Sequence, residues 1–427
     1  MNVMRKILFL TIIAFISAGS LLAQKSALRD SKRSLGRDDF NEARTLIQQA
    51  AQNPETANDP ETWKIMGDIG NKAFDNERTK AMLGQNANDK AMYDGLMESY
   101  APYLKADSLG QIPDEKGRVR NKVRGDISSI LQANHPFYIN GGVYYNDQGN
   151  YSKAADFFEM YWNIPTLPLY DKPESTFSLD STYQTIKYYA IITAIQAEQH
   201  ERALAMLKRA TSEPFIENSS YQESDLYELM ASEYINLGDS AMYLETLNLG
   251  AEKFPKSKYF IPNLVNVFIR EGNTEKAMQY LDQAISNDPT NSCDLNSVKG
   301  ALLAEQGDFE GAESEYKKAL VQDPNCERAL EALAVNYILQ AQNIKEASVQ
   351  ISDRQQQVAN DEKAIKFYEA SLAPLEKYAE LLRSRDASES EKQSALLKLR
   401  NVYYNLSNMG IDKSKEMETV EKELNLN

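Results

Sequence analysis

Apolar residues in the second half of the chain fall three or four positions apart, and the same ladder returns at a fixed interval. Ala277, Leu281 and Ala284 precede Pro289, and Ala312, Tyr316 and Ala319 precede Pro324; these offsets keep one face of a helix apolar. Upstream of each ladder lies a second stripe: Ile261, Leu264, Val265 and Phe268 in one unit, Val298, Ala301 and Leu302 around Gly300 in the next. Between the stripes are the polar turns Glu271-Gly272-Asn273-Thr274 and Gln306-Gly307-Asp308-Phe309. There a glycine can end one helix in a left-handed conformation and an Asn or Asp can cap the next. Pro255, Pro289 and Pro324 lie 34 and 35 residues apart, a period that predicts stacked helix pairs.

The pattern extends outward to about eight units. Tyr138, Gly142, Tyr145, Ala154, Phe158 and Tyr161 form the strongest early one, and Tyr227, Ala231, Tyr234 and Leu247 another. Trp63, Met66 and Gly67 mark a third, and Ile191, Ala194, Ala203, Leu207 and Ala210 a fourth that is one residue out of step. Ala43, Ile47 and Ala50 follow a weak first helix near Ala27–Leu35. Two units are interrupted, and their second halves are alike: Ser99-Tyr100-Ala101-Pro102 against Ser371-Leu372-Ala373-Pro374. The insertion from Ala341 to Glu362 is rich in good helix formers and should lengthen helices rather than form a loop. Each internal proline implies a kink. Pro165 to Thr182 holds three prolines and no helical period, so it is the expected boundary. The organisation read from this is a leader at 1–23, a helical segment at 24–164, a connection at 165–180 and a second helical segment at 181–427. The last segment ends in a capping pair around Leu397, Tyr403, Tyr404, Leu406, Met417, Val420 and Leu424.

A bulky residue, a small residue and an aromatic on the first helix, then Ala, aromatic, Ala and Pro on the second, resembles the tetratricopeptide repeat. The resemblance implies an all-α, right-handed superhelical solenoid that serves as a scaffold for other proteins. Small residues where paired helices cross are expected to let the backbones approach while aromatics fill the flanking grooves. The arrangement around Asn134-His135-Pro136-Phe137 also resembles exported repeat proteins of the Bacteroidota.

The amino terminus reads as a secretory leader. Arg5 and Lys6 precede an apolar run from Ile7 to Ile16, and small residues lead to Ala23. The run is short for a membrane span, so a mature chain starting at Gln24 is expected in the periplasm or beyond, without stable membrane insertion. Formal net charge is −15, and −17 once Arg5 and Lys6 depart with the leader. That argues against a nucleic-acid partner, which needs a clustered basic face. The one cationic run, Lys116, Arg118, Arg120, Lys122 and Arg124, has a spacing that scatters it around a helix; it reads as a solvated helix start, or else as a docking patch. The two cysteines, Cys293 and Cys326, lie near equivalent helix starts in adjacent repeats, at an expected separation of about 7 to 12 Å. In an oxidising compartment they are either bridged or two buried or half-buried thiols, and a bridge requires roughly 4.4 to 6.8 Å between Cα atoms.

Chemistry has few footholds. His135, just before Pro136 at an expected helix start, and His200, in the turn Gln199-His200-Glu201, have no readable nucleophile or metal-ligand partner, and a surface or capping place is expected for both. No phosphate loop, dinucleotide pattern or zinc spacing occurs, so no catalytic residue, metal or cofactor is assigned. Most of the 24 tyrosines have repeat-core positions, among them Tyr138, Tyr145, Tyr227, Tyr234 and Tyr316; Tyr259 does not. The resemblance implies that certain first-helix positions face a ligand: Asp225, Glu228 and Ser232; Tyr259, Asn263 and Asn266; Asp294 and Ser297; Arg328 and Glu331. With this many acids the expected occupant is a polar or basic protein segment, with Asn263 and Asn266 bonding its backbone. The alternative function is a soluble glycan- or nutrient-binding protein that uses exposed aromatics, and a hydrolase is a third.

Overall fold

The computed structural model describes residues 26–170, 177–287, 289 and 292–424; the leader lies outside the described residues. These residues form eighteen helices. They are α1 (26–36), α2 (Phe40–Gln52), α3 (Pro60–Met82), α4 (Asp89–Gly110), α5 (Arg124–Asp147), α6 (Tyr151–Asn163), α7 (Ser181–Gln196), α8 (His200–Ser212) and α9 (Glu223–Asn236). There follow α10 (Ser240–Lys253), α11 (Phe260–Arg270), α12 (Thr274–Asn287), α13 (Ser292–Glu305), α14 (Phe309–Gln322), α15 (Glu327–Val349), α16 (Arg354–Ser384), α17 (Glu389–Asn408) and α18 (Ser414–Glu423).

Two compact units divide the chain between Leu226 and Tyr227, inside α9. The stretch 165–180 lies within the first: Ile164–Thr166 and Pro168–Tyr170 are short 3-10 turns. Leu169 and Tyr170 of that stretch are buried, and the Tyr170 hydroxyl donates to the Ser128 carbonyl (2.8 Å). Residues 171–176 lie outside the described residues.

In the first unit each helix from α2 to α8 packs on the next. Its core holds Trp162, Tyr103, Tyr138, Phe74 and Phe157, all fully buried. In the second unit α10 to α18 do the same, and α13 also packs on α15. Its carboxy-terminal core gathers Ala364, Tyr368, Leu375, Leu399, Val402 and Leu406, closed off by Val420 of α18.

The turns behave as their sequences predict. Gly272 and Gly307 sit at φ of 70° and 83°, in the left-handed region that glycine enters without penalty. The next residue caps the following helix: Asn273 accepts from the Lys276 amide (3.2 Å) and Asp308 from the Gly311 amide (2.9 Å). The insertion lengthens helices, since α15 runs to Val349 and α16 starts at Arg354. Pro102 and Pro374 sit inside α4 and α16. Just before each, a buried serine bonds back three residues, Ser99 to the Leu96 carbonyl and Ser371 to the Tyr368 carbonyl, both at 2.7 Å.

Small residues at the crossings work differently from the expectation. At Gly300 an added Cβ would lie 2.5 Å from the Tyr316 ring, and at Gly67 2.5 Å from Tyr103. The partner helix sends a ring, not its backbone, onto the glycine. Backbones themselves meet where α3 crosses α4: a Cβ on Gly70 would lie 2.7 Å from the Gly95 carbonyl oxygen and 2.8 Å from the Ser99 nitrogen.

Candidate functional site

The first helices of the second unit's hairpins, α9, α11, α13 and α15, have a closed face and an open one. Ala231, Val265, Gly300 and Ala334, spaced 34 to 35 residues apart, are all buried. On the other side Ser232 and Asn266 are exposed on α9 and α11, as are Asp294 and Arg328 on α13 and α15. Exposure thus recurs at the hairpin interval in two pairs, Ser232 with Asn266 and Asp294 with Arg328, each 34 residues apart.

Most other expected groove residues are engaged. Glu228 accepts a hydrogen bond from the Ser257 hydroxyl (3.0 Å), and Glu331 pairs with Lys398 (3.0 Å). Asp294 and Arg328 approach each other at 3.7 Å on the surface. Asn263 spends its amide group on the Tyr259 carbonyl (2.7 Å) and accepts from the Tyr243 hydroxyl (3.4 Å), which leaves Asn266 as the freer amide. Tyr259 is half-buried, and burial, with Tyr243 and Glu228 close by, pushes its phenol up to about 12. Asp225, in the first unit, accepts from the Gln222 amide (2.9 Å) and so fixes the start of α9.

One expected residue leaves the surface. Ser297 is 2% exposed; its hydroxyl donates to the Cys293 carbonyl (2.7 Å) and lies 3.9 Å from the Cys326 sulfur. The crosslink lies beside it: Cys293 and Cys326 form a disulfide with Cα atoms 6.1 Å apart, tying the start of α15 to this turn of α13. That separation is shorter than ordinary helix spacing suggests.

Both histidines are accounted for locally. Pro136 lies inside α5, which begins a dozen residues before the expected helix start, so His135 is buried rather than at a surface cap. Its Nε2–H donates to the Tyr161 carbonyl (2.9 Å), and its ring stacks on Tyr161 at 3.9 Å. Burial lowers its pKa, against the raising effect of that carbonyl. His200 is the first residue of α8 and half-buried. The cationic run is a loop, with only Arg124 in α5; Arg118 and Arg120 pair with Asp114 (3.3 and 3.7 Å) and Arg124 with Asp107 (3.4 Å). Gly117, at φ 71°, breaks the helix that the spacing assumed.

Among the described residues no group of His, Cys, Asp or Glu is arranged to hold a metal ion, and no helix is long and apolar enough to cross a membrane. Cavities open on the surface among the described residues. One of about 320 Å³ lies among α2, α3 and α4, and its charges neutralise one another: Arg44 grips Glu98 at 2.8 and 2.7 Å, and Lys80 holds Glu77 at 2.6 Å. A second, of about 450 Å³, lies beside Tyr337 and Phe367. A third opens beside Asp294; the sequence period gave no sign of it, because its walls come from four separate elements.

Residues 263–291 match the tetratricopeptide repeat family model. No curated protein matches the sequence. Among solved structures, the chain is similar to the C-terminal part of a TPR repeat-containing protein from Cytophaga hutchinsonii (14% identity, 62% of this chain and 95% of that one, TM-score 0.35). It is similar also to PilW, titled a widely conserved type IV pilus biogenesis factor (19% identity, 57% and 93%, TM-score 0.32). A third is YrrB, titled a TPR protein with an unusual peptide-binding site (18% identity, 46% and 89%, TM-score 0.30). At these TM-scores the likeness says nothing about what this chain binds.

Proposed function

We propose that this chain, an array of helix hairpins that includes a tetratricopeptide repeat, is a scaffold that holds a segment of another protein. The segment lies along the open faces of α9, α11, α13 and α15. The observation that carries this reading is the repeated exposure described above. Helices buried on one face and bare on the other, with exposed residues one hairpin apart within each neighbouring pair, offer an extended surface to a bound chain. Glu228 adds a carboxylate to that surface, while Asp294 and Glu331 share theirs with Arg328 and Lys398, a balance that favours a polar to basic segment and a salt-sensitive association. Asn266 supplies a side-chain amide for its backbone.

The leader pattern extends the proposal to the compartment: the scaffold works in the periplasm or beyond, as a chain beginning at Gln24. Amino-terminal sequencing of the exported protein tests this, and recovery of the full-length chain from the membrane fraction counts against it.

The surface is tested with Glu228→Lys combined with Asp294→Lys. Partners captured from envelope extract by the parent protein are identified, then measured against the double variant. Two reversed charges, one half-buried and one exposed, should weaken capture about tenfold and flatten its dependence on salt, while far-ultraviolet circular dichroism stays unchanged. Unaltered capture refutes the surface assignment.

A further inference from the structure

The cavity beside Asp294 has a volume of about 230 Å³ and opens where the α10–α11 turn meets the end of α12 and the start of α13. Its floor is apolar: Pro255, Ile261, Pro262, Ala284 and Leu295. Ile261 is 2% exposed and Ala284 8%, so the floor is the outer surface of packed core rather than loosely held chain. The volume falls short of the roughly 300 Å³ at which pockets for drug-sized ligands begin and suits one large side chain.

Two cations stand on the rim. Lys256 and Lys258 come from the same turn, both exposed and both lining the cavity. Neither makes a salt bridge among the described residues, although the chain carries fifteen more acidic than basic residues. The turn that carries them is anchored on both sides. The Ser257 hydroxyl between them donates to Glu228 (3.0 Å), and Asn287 Nδ2 reaches the Pro255 carbonyl (3.4 Å). Unspent positive charge is thus held in place on both sides of a turn, against an apolar recess.

We infer that this cavity docks an acidic segment of a partner protein in which one large apolar side chain is flanked by carboxylates. The apolar side chain fills the recess and leaves water, and the carboxylates meet Lys256 and Lys258. Asp294 opposes them from the far wall, only partly offset by Arg328 at 3.7 Å, and so limits the affinity. This site shares Asp294 with the open face of α13 but prefers the opposite charge.

The test uses the full chain and end-blocked, fluorescein-labelled peptides carrying Asp-Phe-Asp in a Gly/Ser frame, followed by anisotropy at low salt. Saturable binding is expected, about tenfold weaker when both Asp are replaced by Asn and lost when Phe is replaced by Ala. Lys256→Glu with Lys258→Glu, at exposed positions that carry no fold contacts, should abolish it, and Asp294→Lys should tighten it. Equal binding of the Asn peptide, or of the lysine variant, overturns the inference, as does tight binding of a peptide whose sole carboxylate is its own chain end. Asp294→Lys weakens a basic segment on the helix faces and strengthens an acidic one here, so the two readings fail separately.

Discussion

Gly70→Ala tests whether the α3–α4 crossing is a true backbone contact. The added Cβ would lie 2.7 Å from the Gly95 carbonyl oxygen, 2.8 Å from the Ser99 nitrogen and 3.1 Å from the Glu98 Cβ. The first two are backbone atoms in the middle of a helix, so no rotamer change relieves the overlap, and the helices must part by about 0.6 Å to restore ordinary contact. Such overpacking costs about 1 to 3 kcal/mol, and the upper end applies because the obstacle is rigid. Replacing a mid-helix glycine by alanine returns about 0.5 to 1 kcal/mol. The net loss is about 2 kcal/mol, which for a unit of this size lowers the melting temperature by about 4 to 8 °C. Differential scanning calorimetry reads it as a shift in the transition of the first unit. Gly125→Ala is the control: nothing lies within 4 Å of its Cβ position, so its effect should stay within about 0.5 kcal/mol. If Gly70→Ala melts at or above the parent, the contact is not as close as described.

Two further outcomes follow from the buried groups. Thiol titration of the oxidised, denatured monomer should find no free thiol, and Cys293→Ser with Cys326→Ser should cost the second unit about 3 to 4 kcal/mol in the chain-entropy model for a separation of 33 residues; two titratable thiols would contradict the bridge. Because burial holds the His135 pKa below its ordinary 6.5, the unfolded chain takes up a proton that the folded one resists. The first unit should therefore lose stability as pH falls below about 6.5 and be indifferent to this group above it. His135→Gln should flatten that slope between pH 7.5 and 5, and an unchanged slope would place the effect elsewhere.

The periodic part of the chain was legible because few residue types can do what the hairpin requires. Gly272, Asn273, Gly307 and Asp308 each solve a local backbone problem, and the structure uses them accordingly. Tyr138, Tyr145, Tyr227, Tyr234 and Tyr316 are at most 5% exposed, since a large ring at a fixed interval has no better place than between helices. Boundaries were harder to read. Pro136 looked like a start because proline favours first turns, yet neighbouring packing carries α5 through it, and His135 is buried as a result. The cationic run looked helical by spacing, but Gly117 takes it out of the helix. Ser297 was expected on an open face and is 2% exposed, beside a bridge that ties the start of α15 to α13; a pattern within one repeat does not register a neighbour fastened over it. The recess below Lys256 and Lys258 belongs to four elements at once, and no local pattern encodes it.

The crosslink also sets how the second unit responds to a pull. Cys293 and Cys326 enclose most of α13 and all of α14, so when tension is applied at the chain ends, force passes from one sulfur to the other and bypasses that hairpin. Under oxidising conditions roughly 110 Å of contour length, the reach of the 33 residues between the cysteines, stays locked away from stretching. A reductant releases it in a single step. A scaffold tethered to a partner at one end and loaded at the other would thus extend less before rupture while oxidised, with the shielded hairpin keeping its fold after its neighbours have given way.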